Sequence, residues 1–328
     1  MSLENTRSKT ISVLLQGDNM ELITVNDLSM QFGQHRALDS VDFTVHHGVT
    51  GLVGANGAGK TTFMSIALGL RAPTNGSIRV LDLEPVSDGA KLRSLVSYGP
   101  ERNILPDEMP AVDFVKHLAE VRGIPRKEAK TRASDVLWLV GLGEERFRPI
   151  GTMSTGQRQR VKLAQAIAAD PQLVFLDEPT DGLDPLARDE VLTLIRQVSE
   201  EYGIHVMISS HLLEEVEQIC DNIVILNAGK LVAAGQLDKL TGESTGLEVE
   251  LIVIDDYPNS IEDVQMALQN AGVKVLHEPD STILRIPDGS PELLPDIIRD
   301  AVADSGARLK RLEHRRRSLE DIILDVPS

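Results

Sequence analysis

Apolar and polar residues alternate over 21–28 and 40–46, which predicts two half-buried strands near the start of the chain. An apolar segment at 50–53 then runs into a glycine-rich turn, and residues 60–70 have a helical pattern. Strand and helix patterns alternate further along. The expected strands are 77–81, 95–98, 173–176, 206–209 and 223–226, and helices are expected over 185–201 and 211–219. This alternation predicts a mainly parallel α/β core.

Two regions depart from that alternation. Between about 105 and 170 the helical period dominates, which predicts a helical insertion in the core. After a linker-like segment, TGESTG, the patterns follow the order β-α-β-β-α-β of a ferredoxin-like α+β domain. We therefore expect a tail over 1–19, a first domain over 20–241 and a small C-terminal accessory domain over 246–328.

Composition narrows the class of protein. The 328 residues are 41% apolar and 25% charged, which is typical of a globular chain of about two domains. The net charge of −17 disfavours a nucleic-acid partner, because phosphate backbones repel such a chain. No apolar run approaches the ~18 residues of a spanning helix. Cys220 is the only cysteine, which excludes a disulfide framework, and we expect it in the core.

The glycine-rich turn fits the phosphate-binding pattern G-x-x-x-x-G-K-[ST]. Its residues are Gly54, Ala55, Asn56, Gly57, Ala58, Gly59, Lys60 and Thr61, followed by Thr62. Glycines let consecutive backbone N–H groups turn inward, and the helix that follows adds its N-terminus to this anion cradle. Lys60 is expected on the β- and γ-phosphates and the Thr61 hydroxyl on Mg²⁺. The segment predicts a nucleoside triphosphate site.

Two carboxylates, Asp177 and Glu178, follow the apolar strand at 173–176. A rigid strand would hold Asp177 beside Mg²⁺, and Glu178 would point at the γ-phosphate and a water molecule. Phosphoryl transfer needs an oriented water, and a carboxylate there is a natural general base. An acidic strand end without a role is the competing interpretation, and the phosphate-binding loop favours the catalytic one.

A family resemblance rests on further motifs. Residues 153–157, MSTGQ, resemble the LSGGQ signature of ATP-binding cassette (ABC) ATPases: Ser154, Gly156 and Gln157 match, whereas Met153 and Thr155 depart from it. Two further segments match the family. Residues 179–185 resemble its D-loop, and His211 follows a strand at the place where the family has its switch histidine. Phe32 lies where an aromatic residue stacks on adenine. The resemblance covers about residues 21–240.

The resemblance implies a P-loop ATPase that binds ATP and Mg²⁺. It implies that the helix end at Ser154, with Gly156 and Gln157, faces the γ-phosphate of ATP held by a second ATPase subunit, most simply an identical copy. His211 would contact the γ-phosphate, Phe32 the adenine, and Asp184 would support the contact between the copies.

One position departs from the pattern. Glu101 stands where the family often has glutamine, and its carboxylate can still reach Mg²⁺ or its waters. This substitution, the C-terminal domain and the ending at 317–324 resemble the ABC ATPases that pair with ABC-2-type exporters. The resemblance implies a separate integral membrane permease, docked on the helical insertion and the Glu101 loop. It places the chain at the cytoplasmic face of the plasma membrane.

Two alternatives compete with this hypothesis. A soluble ABC ATPase without a transport role has the same motifs, although such proteins often carry two cassettes or long coiled coils. A P-loop kinase or GTPase is disfavoured by the signature and by the absence of an N-K-x-D motif.

A basic cluster near the C-terminus is either a solvated strand edge or a regulatory or dimer contact. Its members are Arg308, Lys310, Arg311, Arg315, Arg316 and Arg317.

Overall fold

The computed structural model describes residues 21–101, 104–242, 244–253, 260–277, 281–287, 294–316 and 319–324. The expected tail over 1–19 lies outside these residues. The chain divides into two compact units, with Leu237 the last described residue of the first and Asp238 the start of the second. The division comes shortly before 241, where the sequence pattern placed the end of the first domain.

The first unit alternates strands and helices. Its strands are β1 (Glu21–Phe32), β2 (His35–His46), β3 (Val49–Val53), β4 (Asn75–Val80), β5 (Val96–Gly99), β6 (Leu173–Asp177), β7 (His205–Ser210), β8 (Asn222–Asn227) and β9 (Lys230–Gln236). Its helices are α1 (Lys60–Ala67), α2 (Gly89–Leu95), α3 (Ala111–Val121), α4 (Arg126–Leu139), α5 (Thr155–Ile167), α6 (Pro185–Tyr202) and α7 (Leu213–Ile219).

The main sheet of this unit has the strand order β5-β6-β7-β3-β8-β9 among the described residues. Its neighbours pair in parallel except β8 and β9, which are antiparallel. Every residue of β3 and β6 is buried, as expected for strands covered on both faces. The predicted parallel core is confirmed. The carboxyl ends of β3, β6 and β7 lie side by side, and this is where the sequence placed its chemistry.

A second, antiparallel sheet packs against this core. Its strand order is β2-β1-β4 in the described residues, and β1 and β2 form a hairpin that turns at Gly33. One apolar cluster joins this sheet to α1 and the main sheet, with Phe63 and Phe43 in tilted ring contact at 5.3 Å between centroids. This packing fixes the helix that carries the phosphate-binding loop.

Between β5 and β6 the described chain is helical, with α3 and α4 followed by short 3-10 turns at Gly143–Phe147 and Ile150–Thr152 and then by α5. Helix α5 contacts both α3 and α4, and it also contacts β5 of the main sheet. The signature helix therefore has one side in the insertion and one side on the core. No helix in the described part of the chain is long and apolar enough to cross a bilayer.

The second unit is a small α+β domain. Its elements are α8 (Leu237–Thr241, at the division), β10 (Ser244–Ile252), α9 (Ser260–Asn270), β11 (Leu276–His277), β12 (Ile283–Pro287), α10 (Leu294–Ser305), β13 (Arg308–Arg316) and α11 (Leu319–Leu324). Its sheet has the antiparallel order β11-β12-β10-β13 among the described strands. This is the order of a ferredoxin-like fold, which confirms the prediction.

The basic cluster lies mainly on β13, at the edge of that sheet. Lys310 forms an ion pair with Glu250 at 2.6 Å, and Arg311 pairs with Glu313. The side chains of Arg315 and Arg316, and Arg317 altogether, lie outside the described residues. Exposed cations along an edge strand oppose pairing with another strand, which favours the solvated-edge interpretation.

Some elements are absent from the sequence prediction. Helix α2 is short, and β9 has the sequence KLVAAGQ, whose small residues and Gly235 show no alternation. Strand β9 forms because its partner β8 exposes an edge. Its pairing is set by tertiary contact rather than by local pattern.

A buried histidine predicts an acid response. His205 begins β7, and its Nδ1 accepts a hydrogen bond from the Gly48 N–H at 3.1 Å. Burial and the nearby His47 lower the pKa of His205 below its ordinary 6.5. As pH falls below about 6.5, the unfolded chain binds a proton that folded His205 resists, so stability falls until the folded pKa is reached.

We expect His205→Asn to reduce this loss, because an amide oxygen can replace the ring acceptor without titrating. The measurement is the thermal midpoint between about pH 7 and about pH 5. The exposed His35, changed to Asn, serves as the matched control and should keep the wild-type response. An unchanged acid response in the His205→Asn chain would contradict the assignment.

Candidate nucleotide-binding and hydrolysis site

The phosphate-binding loop joins β3 to α1, and its backbone requires glycine at both ends. A Cβ on Gly54 would lie 2.3 Å from the Leu226 carbonyl oxygen, and one on Gly59 would lie 2.7 Å from the Ala37 oxygen. Gly59 is also left-handed, with φ 110°, and caps α1 without a side-chain hydrogen bond. The first N–H groups of α1 therefore remain available to an anion.

Lys60 opens α1 and is 6% exposed. Its Nζ donates to the Gly54 carbonyl oxygen at 2.6 Å and lies 3.1 Å from Glu178 Oε1. A buried ammonium requires such partners, because an unpaired buried charge is costly. These contacts hold the positive charge inside the curve of the loop.

Asp177 ends β6, and a hydroxyl from each neighbouring strand holds its carboxylate. Oδ1 accepts from Ser209 Oγ on β7 at 2.6 Å, and Oδ2 accepts from Tyr98 Oη on β5 at 3.1 Å. Burial, and then the charge of Asp177, raise the pKa of Tyr98, so its hydroxyl stays protonated and donates. Asp177 is 3% exposed, and the two bonds fix the direction of its carboxylate.

Glu178, the next residue, has a left-handed backbone with φ 44°. That conformation costs a non-glycine residue about 1–2 kcal/mol. Ser209 Oγ holds it by accepting the Glu178 N–H at 2.8 Å, so one hydroxyl serves both carboxylate residues. Glu178 Oε2 lies 2.8 Å from Nδ1 of His211, which directly follows β7. Strain of this kind is typical of functional positions.

One cavity of about 240 Å³ gathers most of the residues predicted from the sequence. Those that line it are Phe32, Ala55, Asn56, Gly57, Gly59, Lys60, Thr61, Thr62, Glu101, Asp177 and Glu178. The Phe32 ring is 39% exposed, and the Arg71 guanidinium lies 5.3 Å from its centroid. Gly54 and Ala58 belong to the loop but do not line the cavity. His211 does not line it either, and its Nδ1 contacts Glu178, which does.

The signature residues lie apart from this cavity. Ser154 is the N-cap of α5: its Oγ accepts from the Gln157 N–H at 3.2 Å, and its own N–H donates to Gln157 Oε1 at 3.0 Å. Asp184 caps α6 in the same way by accepting from the Ala187 N–H at 2.9 Å. Gly156 packs close to that cap, since a Cβ there would lie 3.5 Å from Ala187 Cβ.

Sequence reasoning missed three residues of the site, Ser209, Tyr98 and Lys162. The first two lie near the ends of the strands beside β6, so the strand pattern gives their place but not their partner. Lys162 is 5% exposed on α5, and its Nζ donates to the Glu101 carbonyl oxygen at 2.9 Å. It thereby ties the signature helix to the Glu101 segment, and a lysine in a buried helical position was the available signal.

Comparison with known proteins identifies the family of the chain. Residues 38–181 match the family described as ABC transporter. The ABC transporter ATP-binding protein YxlF of Bacillus subtilis is 30% identical over 308 residues, covering 93% of this chain and 99% of that protein. The chain belongs to the ATP-binding proteins of ABC transporters. It is therefore an ATP-binding and ATP-hydrolysing subunit.

Two further relatives extend the match. The doxorubicin resistance ATP-binding protein DrrA of Mycobacterium tuberculosis is 29% identical, covering 96% of this chain and 92% of that protein. A solved structure described as an ATP binding subunit of an ABC transporter is 29% identical, with a TM-score of 0.59, over 67% of this chain and 92% of its own. The match to DrrA includes the C-terminal unit.

Ser209 offers a test of the site. Ser209→Ala leaves Asp177 Oδ1 and the Glu178 N–H without their shared partner, so we expect ATP turnover to fall about 10–100-fold. ATP affinity should change far less, because Ser209 does not line the cavity. Single-turnover hydrolysis and equilibrium nucleotide binding separate the two effects. The exposed Ser94, changed to Ala, is the control, and wild-type turnover in Ser209→Ala would contradict the arrangement.

Proposed function

We propose that this ABC ATPase powers an exporter, that two copies enclose two ATP molecules, and that a separate membrane permease docks on its helical region and on the core surface beside it. One observation carries the proposal. The loop, Asp177 and Glu178 share a cavity, whereas the capped signature helix at Ser154 presents its N-terminus elsewhere. A single chain thus carries both halves of an ATP site but does not join them.

Substrate binding follows from the charges of the loop. The N–H groups at the start of α1 and the Lys60 ammonium favour the β- and γ-phosphates. The exposed ring of Phe32, backed by the Arg71 guanidinium, suits stacking with adenine. Thr62 and Asn56 line the same cavity and complete the surface around the phosphates.

Hydrolysis follows from the position of Glu178. A water between Glu178 and the γ-phosphate transfers a proton to the carboxylate while its oxygen bonds to phosphorus. The bond from phosphorus to the β–γ bridging oxygen breaks, which yields ADP and phosphate. His211 holds Glu178 Oε2 at 2.8 Å and is 44% exposed, so its ring also has access to the γ-phosphate.

Oxygen donors at the edge of the cavity suit Mg²⁺. Thr61, Asp177 and Glu101 supply hydroxyl and carboxylate oxygens, and no group of three His, Cys, Asp or Glu in the described residues forms a metal cage of its own. Such a set fits a metal that takes its remaining ligands from phosphate and water. Bound there, Mg²⁺ supplies neutralisation of the phosphate charge.

A second copy supplies the signature helix that the cavity of one chain lacks. A helix N-terminus with a serine cap favours an anion, and the cap of α5 is free of the cavity in its own chain. A two-fold arrangement would place each Ser154 on the γ-phosphate held by its partner, with Gly156 and Gln157 beside it. Asp184, the cap of the neighbouring α6, supports this contact.

The permease is proposed to dock on a surface of mixed polar and apolar side chains around Tyr98, which borders the cavity at Phe32, Thr61 and Thr62. Two concave regions, of about 540 and about 160 Å³, share Tyr98 as a lining residue. Leu70, 63% exposed, lines the first, and Val121, 68% exposed, lines the second. We call these two regions the Tyr98 groove. Docking there places the chain at the membrane surface, on the cytoplasmic side.

The name of the DrrA relative refers to doxorubicin resistance, and this supports export rather than import. The similarity covers 92% of that protein and includes its C-terminal part, so the support does not rest on the ATPase core alone. A non-transport ABC ATPase remains the outcome to be tested against.

Variants of the catalytic residues separate binding from turnover. Glu178→Gln should keep ATP affinity, lose more than about 100-fold in turnover and form an ATP-dependent dimer, because the proton acceptor is gone while Lys60 remains. Lys60→Ala should lose ATP binding and therefore stay monomeric with ATP. Light scattering with Mg·ATP and a hydrolysis assay measure both. Wild-type hydrolysis by Glu178→Gln would refute the assignment of the base.

A pull-down tests the permease. Affinity-tagged chain recovered from native membranes should bring a polytopic membrane protein with it, and Leu70→Glu with Val121→Glu should abolish that recovery, because two charges enter the Tyr98 groove. Trp138→Glu is the matched control, since Trp138 is 64% exposed and lines neither region. Recovery of no membrane partner with the wild-type chain would favour a non-transport ATPase.

A further inference from the structure

The ring and the hydroxyl of Tyr98 have different surroundings. Its ring lines both concave regions of the Tyr98 groove and packs against the main apolar cluster. Its hydroxyl donates to Asp177 Oδ2 at 3.1 Å. The larger of the two regions also borders the cavity directly, at Phe32, Thr61 and Thr62. One side chain therefore extends from the proposed docking surface to the carboxylate assigned to Mg²⁺.

The direction of Asp177 depends on this bond. Its two oxygens have one hydroxyl donor each, Ser209 from β7 and Tyr98 from β5. The partner from β7 is buried within the sheet, whereas Tyr98 is half-buried and borders an open surface. If the Tyr98 ring rotates or shifts, the carboxylate loses one of its two fixed partners. Groups that orient a metal-binding carboxylate in this way set its affinity for the metal.

We propose that Tyr98 is a positioning residue for Asp177, and that through Tyr98 an occupant of the groove changes how the site binds Mg²⁺. The proposal deepens the proposed function, since the natural occupant is the permease. Tyr98 does not line the cavity, so it acts on the site through Asp177. Its role is to make the affinity of the site for Mg²⁺ depend on whether the Tyr98 groove is occupied.

The isosteric variant Tyr98→Phe isolates the hydroxyl. It keeps the ring in the groove and removes only the bond to Asp177. We expect the Mg²⁺ concentration at half-maximal binding of a fluorescent ATP analogue to rise about tenfold. Binding of the same analogue in excess chelator should not change, because the loop and Lys60 are intact.

Tyr202→Phe, at the end of α6 and away from the cavity, is the matched control and should keep the wild-type Mg²⁺ dependence. Thermal midpoints of the variants check that each chain is folded. An unchanged Mg²⁺ midpoint in Tyr98→Phe would overturn the positioning role. Equal loss of affinity with and without Mg²⁺ would also overturn it, because a general structural defect has that signature.

A second measurement tests the link to the groove. Leu70→Cys gives an exposed thiol at the groove that can be modified with N-phenylmaleimide. Cys220 is buried, and burial raises the pKa of its thiol, so it does not compete. We expect modification to shift the Mg²⁺ midpoint at least about threefold, and to have no effect when Tyr98→Phe is also present.

A shift of equal size in both backgrounds, or no shift in either, would overturn the link. Both measurements use the isolated chain and need no permease. A negative result therefore leaves the membrane pull-down to decide the proposed function by itself.

Discussion

The structure of the site depends on where β6 ends. This strand is buried on both faces and lies between β5 and β7, so the two residues at its carboxyl end can take partners from both sides. Ser209 binds Asp177 and the Glu178 backbone at once, and His211, two residues later, holds the Glu178 side chain. The left-handed turn at Glu178 persists because these contacts determine it. Two carboxylates adjacent in sequence thereby acquire different surroundings and different proposed roles.

The same geometry explains why the cavity is incomplete. Lys60 and the N-terminus of α1 gather positive charge on one side, and Glu178 closes the other at 3.1 Å from the Lys60 ammonium. The signature helix reaches this region through its middle, where Lys162 donates to the Glu101 backbone, whereas its own N-terminus lies elsewhere. The proposed site shared between two copies rests on this separation, and the bond from Lys162 gives the helical region a contact with the Glu101 segment.

The motif residues can be proposed from the sequence because their chemistry is local. The loop needs glycine at fixed spacings, and the acidic pair follows an apolar strand, so both can be read without knowledge of the fold. Tyr98 and Ser209 could not be assigned, because their function arises from the strand order β5-β6-β7, which spacing along the chain does not reveal. Strand β9 was not predicted for a similar reason, because its pairing with β8 outweighs its weak local pattern.

The most direct test of the account is complementation between two inactive chains. The Lys60→Ala chain keeps an intact signature helix but cannot bind ATP at its phosphate-binding loop. The Ser154→Arg chain keeps an intact loop, but its arginine blocks the N-terminus of the signature helix. If each ATP site is shared, a one-to-one mixture contains mixed dimers with one intact site, and ATP hydrolysis should rise well above the sum of the separate chains, to at most about half of the wild-type rate. A mixture no more active than the sum of its separate components would contradict the account.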